Sequence, residues 1–587
     1  MKYPQVNELP STRQMIAIFR GYDHNLRVTE TISTRGRSSW AFYDTKNLTA
    51  AYYPALSPRS ARRTYATPSS AQGLIAKDAL CYVDGSAFVI DEHRVEMNLS
   101  TEEKDCPKTL VSMGAYVIIL PDKMWINTMD LTDFGSIEAS FTTTSDVTFE
   151  LCTISGENYE GAVASPDAPS NPENRTLWID TSTTPHALKQ YSSTSSMWVT
   201  VPTTYVKIRS TGIGKAFAQY DGVMISGVKH DSLQDLNASM VIWDRGDDYI
   251  VVVGILDSVI TQTEAVKVER RMPNMDFVVE CGNRLWGCRY GIAANGETVN
   301  EIYGSKLGDF KNWNCFMGIS TDSWAASVGT DGQFTGAITH LGYPLFFKED
   351  CLHKVYISSS GAHQIQDTAC RGVQRGCERS LAIVNGVLYY KARSGVCGYD
   401  GSLPSEISAA LGDVVYSDAV AGGNGNCYYI SMQDADGVYH LFSYDTSKGI
   451  WLREDNTQAD AFCACRGEMY YIDHADGAIR KLYGGTDKVD WMAETGAIGI
   501  TFPDQKYVSR LTFRMALSAG AEVKIFGQYD SRGSWELLCR LHGTTMRSFT
   551  VPIRPKRCDH MMLRIEGVGE AKVYSVTETI EQGSDIS

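Results

Sequence analysis

The chain has 587 residues, a length that calls for three or four domains rather than one core. Its 43% hydrophobic and 10% aromatic content is that of a globular protein, and 51 glycines suit a turn-rich β chain. A formal net charge of −15 argues against a general nucleic-acid binder, which would be basic, though it does not exclude a surface past which DNA slides without adhering.

The first ten residues are polar, with no apolar stretch of the signal-peptide kind. The longest apolar run, near residues 249–256, is far too short to cross a bilayer, so no membrane anchor is expected. Residues 1–70 read as an extended arm. IAIFRGYDHNLRVTE (16–30) predicts strand, turn and strand, while Pro54 and Pro58 interrupt regular structure after it. Arg59, Arg62 and Arg63 form a small basic cluster. Either they are solvated on a loop, or they make bidentate contacts to carboxylates of a neighbouring subunit.

From residue 71 a phrase recurs: a short apolar run, a glycine turn, then a Tyr/Phe-rich run. It is present in ALCYVDGSAFVID (79–91) and LVSMGAYVIILPDKMWIN (110–127). After an interruption it returns as VVECGNRLWGCRYG (278–291), ITHLGYPLFFKEDCLHKVYI (338–357), LAIVNGVLYYKARSGVCGYDG (381–401), NCYYISMQDADGVYHLFSYDTSKGIWLRE (426–454) and AFCACRGEMYYIDHADGAIRKLYG (461–484). Asn-Gly, Asp-Gly and Arg-Gly supply the positive φ of hairpin turns, so each phrase is two or more antiparallel strands. A spacing of roughly 40 residues is that of β-propeller blades. Residues 71–135 and 273–486 are therefore assigned to one propeller, with a single helix expected over 404–412. Tyr389, Phe442 and Tyr470 fall in its innermost apolar runs and are expected to be buried.

Residues 136–272 differ in character, being rich in Thr and Ser and alternating with strand periodicity. They are read as an inserted β-barrel-like domain. Trp178, Tyr191 and Trp198 lie on its strands, either as core or as a platform for sugar rings. Residues 487–587 alternate with period two between Gly and Pro breaks, the pattern of a C-terminal β-sandwich of jelly-roll type. The fold class is all-β throughout.

The sequence lacks a G-x-S-x-G elbow, a Walker loop and H-E-x-x-H. Sialidase-type Asp boxes are reduced to one out-of-pattern DSRGSW (530–535), and no calcium loop is complete. No catalytic residue, metal site or cofactor is expected, and the chain is read as not an enzyme. The 15 cysteines lack C-x-x-C spacing and read as buried thiols, Cys463 and Cys465 sharing one strand face.

The order of elements resembles a family. An arm with F-x-G-x-D (Phe19, Gly21, Asp23) precedes Pro54, Pro58 and Arg59. Later come a line carrying Tyr303, Ser305, Phe310 and Trp313 and a line carrying Asp331, Gly332, Phe334, Ile338, Leu341, Phe346, Phe347 and Lys348. Together they resemble the β-propeller tail nozzle, or packaged-DNA stabilisation, proteins of short-tailed bacteriophages. The resemblance implies a virion structural protein assembled in the bacterial host cytoplasm. It implies a homo-oligomeric, six-fold ring around the DNA channel, active in tail assembly and in genome retention and ejection. Adaptor, fibre or plug proteins would be its partners, and DNA would pass without sequence-specific binding. The alternative is a receptor- or carbohydrate-binding tail protein or, less favoured, a propeller-type depolymerase.

Overall fold

A computed structural model describes residues 11–27, 32–33, 39–293, 296–358, 362–499, 506–543 and 545–582. The fold is all-β, of the propeller class, and no helix among the described residues is long and apolar enough to cross a membrane. The chain divides into two compact units. One comprises Met1–Thr101, Phe347–Leu352 and Thr368–Ser587, the other Glu102–Phe346 and His353–Asp367. By that division the segments 110–127 and 381–401, expected in a single domain, belong to different units.

The first unit holds four four-stranded antiparallel sheets of blade type. Three are built in chain order from 71–96, 382–406 and 417–455. The fourth takes three strands from 459–485 and completes itself with Ala61–Ala66, which pairs with Ile479–Gly485. Each sheet turns on the predicted glycines: Gly386, Gly425 and Gly467 all have positive φ, a conformation that a side chain disfavours. Tyr389, Phe442 and Tyr470 are buried, Phe442 fully so. No helix forms at 404–412: Ser405–Glu406 pairs as a strand and Ala409–Leu411 is one 3-10 turn. Between Pro404 and Gly412 there is too little chain to repay helix nucleation.

Residues 11–27 and 39–66 are not a free arm. Ser11–Ile16 joins a four-stranded sheet with Lys506–Leu517, Arg547–Val551 and Ala571–Gln582, while Ile18–Tyr22 and Ser39–Lys46 join the facing sheet. Period-two alternation puts Ile16, Phe19, Trp40 and Phe42 into one core with Leu511, Phe513, Val523 and Ile565. The sandwich is thus woven from both ends of the chain. The second half of the hairpin expected at 16–30, residues 28–30, lies outside the described residues.

The second unit holds blade-type sheets from 109–136 and 277–327, and most of a third from 336–369. Between the first two lies the insertion. Ala139–Thr142 enters it and pairs with Lys267–Arg270, which leaves it. Sheets of four and five strands enclose a core around Phe149, Ile208, Ile225, Ile250 and Val268. They are two separate sheets rather than one closed barrel. A further four-stranded sheet spans 163–200.

Candidate functional site

The three arginines nominated from the sequence separate. Arg59 is buried, with its Nε 3.2 Å from Glu454 Oε2 and its Nη2 3.1 Å from Asp455 Oδ2. Its remaining donors are used within the chain, Nη1 reaching the Ser60 carbonyl at 2.8 Å. Arg62 Nη2 lies 2.7 Å from the same Asp455 oxygen, and Arg62 Nη1 donates to Thr457 and, at 3.0 Å, to the Tyr471 hydroxyl. Tyr483 donates to Glu454 Oε1 at 2.6 Å. The expected interface with a neighbouring subunit is therefore corrected for Arg59 and Arg62, whose carboxylate partners are supplied by their own chain. Only Arg63 is exposed.

Adjacent carboxyls in this cluster diverge. Burial pushes Glu454 up, and the two arginines do not fully offset it. Burial acts on Asp455 in the same direction, but Arg62 and Arg59 outweigh it and hold the group below the usual carboxylate range.

Beside this latch of Arg59 and Arg62 on Glu454 and Asp455 lies a cleft of about 790 Å³, lined among others by Tyr52, Arg59, Tyr429, Lys448, Glu570 and Lys572. Its charges are already engaged. Lys448 sits 2.7 Å from Asp445, Lys572 covers the Tyr52 ring at 3.7 Å, and Glu570 accepts from Ser518 at 3.0 Å.

Trp178, Tyr191 and Trp198 do converge. Trp198 meets Trp178 and Tyr191 edge-on, each at 5.3 Å, on one face of the 163–200 sheet. The cross-strand register places Trp178 opposite Lys189 and Tyr191 opposite Trp198. Lys189 lies 4.9 Å from the Trp178 ring and donates to Asp180 at 2.8 Å. Hydrogen bonds from Lys189 and Ser182 hold Asp180 down at about 2. Trp178 is buried and bonded to the Ser165 carbonyl, so it serves as core. Tyr191 and Trp198 remain half-exposed.

Of the residues that carried the family resemblance, Phe19, Ser305, Phe310, Trp313, Phe334, Phe346, Phe347 and Lys348 are buried, whereas Asp331 and Leu341 are exposed. Phe310 and Trp313 are buried with Trp125, Ile137 and Met272 where the insertion leaves and rejoins its unit. Between them, Asn312 bonds Asp221 and Asp309, and accepts from the Gly222 amide at 2.8 Å. Gly222 has no room for a side chain: a Cβ there would lie 2.4 Å from the Asn314 carbonyl oxygen. Gly21, at φ +82, sits equally close to the Trp451 carbonyl, which accounts for the glycine of F-x-G-x-D.

All 15 cysteines are free thiols, ten of them buried and five half-buried. Burial pushes Cys81 and Cys463 up to about 12. Among the described residues no group of three His, Cys, Asp or Glu is placed to hold a metal ion.

No protein-family model matches the chain, and no curated protein matches it. Solved structures similar to it include an exo-β-1,3-galactanase from Phanerochaete chrysosporium, with 8% identity over 51% of this chain and 94% of that one and a TM-score of 0.19. Another is a sialidase from Trypanosoma rangeli, with 8% identity over 97% and 96% and a TM-score of 0.22. A third is a putative 6-phosphogluconolactonase from Bacteroides fragilis, with 11% identity over 58% and 94% and a TM-score of 0.22. These neighbours are named as enzymes, so the expectation that the chain is not an enzyme is withdrawn. Likenesses this weak transfer no reaction to it.

Proposed function

We propose that this chain is a structural component of a bacteriophage tail, a homo-oligomeric ring through which DNA passes during genome retention and ejection. What supports the reading is where its sequence signature sits. Ser305, Phe310, Trp313, Phe334, Phe346 and Phe347 are all buried; Phe310 and Trp313 pack where the insertion leaves and rejoins its unit, and Phe334 and Phe346 pack between neighbouring blade sheets. A signature of packing residues marks an architecture more specifically than the exposed turns common to many propellers. The acidic total of −15 suits a wall that repels phosphate. Negative-stain images of the purified protein test the reading. Rings enclosing a pore wide enough for duplex DNA are expected, and a protein that stays monomeric when concentrated and is absent from virions overturns it.

One observation favours a second reading, a glycan-binding surface on the 163–200 sheet. Tyr191 and Trp198 are half-exposed beside the polar pair Lys189 and Asp180, the mixture that sugar rings stack on and bond to. Quenching of tryptophan fluorescence by host-surface oligosaccharides, lost in Trp198→Ala, tests it.

A further inference from the structure

The outward face of the sheet formed by Ser11–Ile16, Ala571–Gln582, Lys506–Leu517 and Arg547–Val551 is chemically unlike the rest of this acidic chain. Register defines its rows. Arg13 and Arg510 flank Thr579 from either side. Met15, Thr577, Thr512 and Thr550 form the next row, and Ser575, Arg514 and Ser548 the one after. The three arginines are exposed, and among the described residues none of them has an ion-pair partner. The face's acidic residue, Glu581, lies at its end and is bonded by the Tyr507 hydroxyl at 2.7 Å. The other carboxyl of that strand, Glu578, is buried on the opposite face.

We propose that this face binds the phosphodiester backbone of a nucleic acid, without reading sequence. Guanidiniums clamp phosphate oxygens bidentately, and serine and threonine hydroxyls are the usual companions in backbone contacts. Strand spacing sets Arg13 and Arg510 about 10 Å apart, and Arg510 and Arg514 about 13 Å apart along their strand. The three charges thus spread over the sheet, as contacts to successive backbone positions require. A protein partner would want an apolar, aromatic centre to its footprint, whereas the field between these arginines offers hydroxyls and Met15. Its tyrosines stand at the two ends, Tyr507 bonded to Glu581 and Tyr574 beside Ser575, and among the described residues no aromatic ring lies between the arginines to stack on a base, which makes the contact independent of sequence. The chain's total charge does not cancel the effect, because charges beyond a Debye length of roughly 8–10 Å are screened. The proposal stands apart from the ring reading and needs no oligomer.

The test is fluorescence anisotropy of the full-length protein with short labelled DNA duplexes of two unrelated sequences, over a salt series. Three phosphate contacts give a slope of log affinity against log salt of about −2.7, a loss of about 40-fold between roughly 50 and 200 mM salt. Both duplexes should bind alike. The variant R13A/R510A/R514A should lose that slope while melting as wild type does, and Arg393→Ala, on an exposed turn elsewhere, should change nothing. Should the triple variant fold poorly, R13Q/R510Q/R514Q removes the charge with less change of shape and must lose the slope equally. Absence of binding at low salt, or an unchanged slope in a folded variant, overturns the proposal. So does competition by poly-glutamate as effective as that by unlabelled DNA, which would make the face a carboxylate-reading protein contact.

Discussion

The Nη2 of Arg59 lies 3.1 Å from Oδ2 of Asp455, a residue 396 positions later in the chain. The contact does not stand alone. Asp44 takes a bidentate contact from Arg453 at 2.7 Å, and the Asn47 amide donates to the Glu454 carbonyl at 2.8 Å. Segment 44–62 is thereby zipped onto the edge strand Ile450–Asp455 of a late blade sheet, by backbone and by charge together.

Removing one partner of a buried ion pair leaves the other charge desolvated and alone. Arg59→Ala is therefore expected to cost about 3–5 kcal/mol in urea unfolding. Arg63→Ala, at an exposed position four residues on, should stay within about 0.5 kcal/mol. Equal costs for the two would remove the latch from the account.

Asp180 is expected to make the 163–200 sheet acid-sensitive. Its folded value of about 2 lies below the unfolded value of about 3.9. The stabilisation is fully present above the unfolded value and is lost as pH falls through the folded one. Melting followed by tryptophan fluorescence should separate wild type from Asp180→Asn at neutral pH, and the gap should close as the solution is acidified towards pH 2.

Phe310→Ala should loosen the root of the insertion before anything else. The ring packs 5.9 Å from Trp125 and 5.1 Å from Tyr116, and its loss is expected to cost about 3–5 kcal/mol. Limited proteolysis should cut near residues 137 and 272 in the variant at protease levels that leave the wild type whole. Cleavage first in the C-terminal sandwich would contradict the assignment.

Thiol labelling should be slow in the native state. Burial raises Cys81 and Cys463 to about 12 and Cys397 to about 11, so little thiolate exists at pH 8. Ellman titration is expected to report few thiols rapidly in native protein and all 15 after denaturation.

The blade phrases were legible because glycine turns and period-two runs are local signals, and Tyr389, Phe442 and Tyr470 are buried where those runs put them. Trp178, Tyr191 and Trp198 were found by type, and strand alternation put them on one face. Long-range pairing was not legible. Nothing near Ser11 says that it pairs with Glu581, and nothing near Arg59 names Glu454, because such contacts depend on where distant chain returns. Alternation and the Arg13–Thr579–Arg510 register together define the arginine face, and only the second had to come from the structure.

The strand Ala61–Ala66 has a consequence for how the protein is made. It completes a sheet whose other strands begin at Ala459, so during synthesis it leaves the ribosome long before its partner exists. At about 5–20 residues per second the wait is roughly 20–80 s. Throughout that interval the strand is an unpaired edge, the kind that templates aggregation. Its sequence, ARRTYA, carries two charges through the delay. Arg62 and Arg63 thus guard the nascent chain first, and only when residues 454–485 arrive does Arg62 exchange solvent for Asp455.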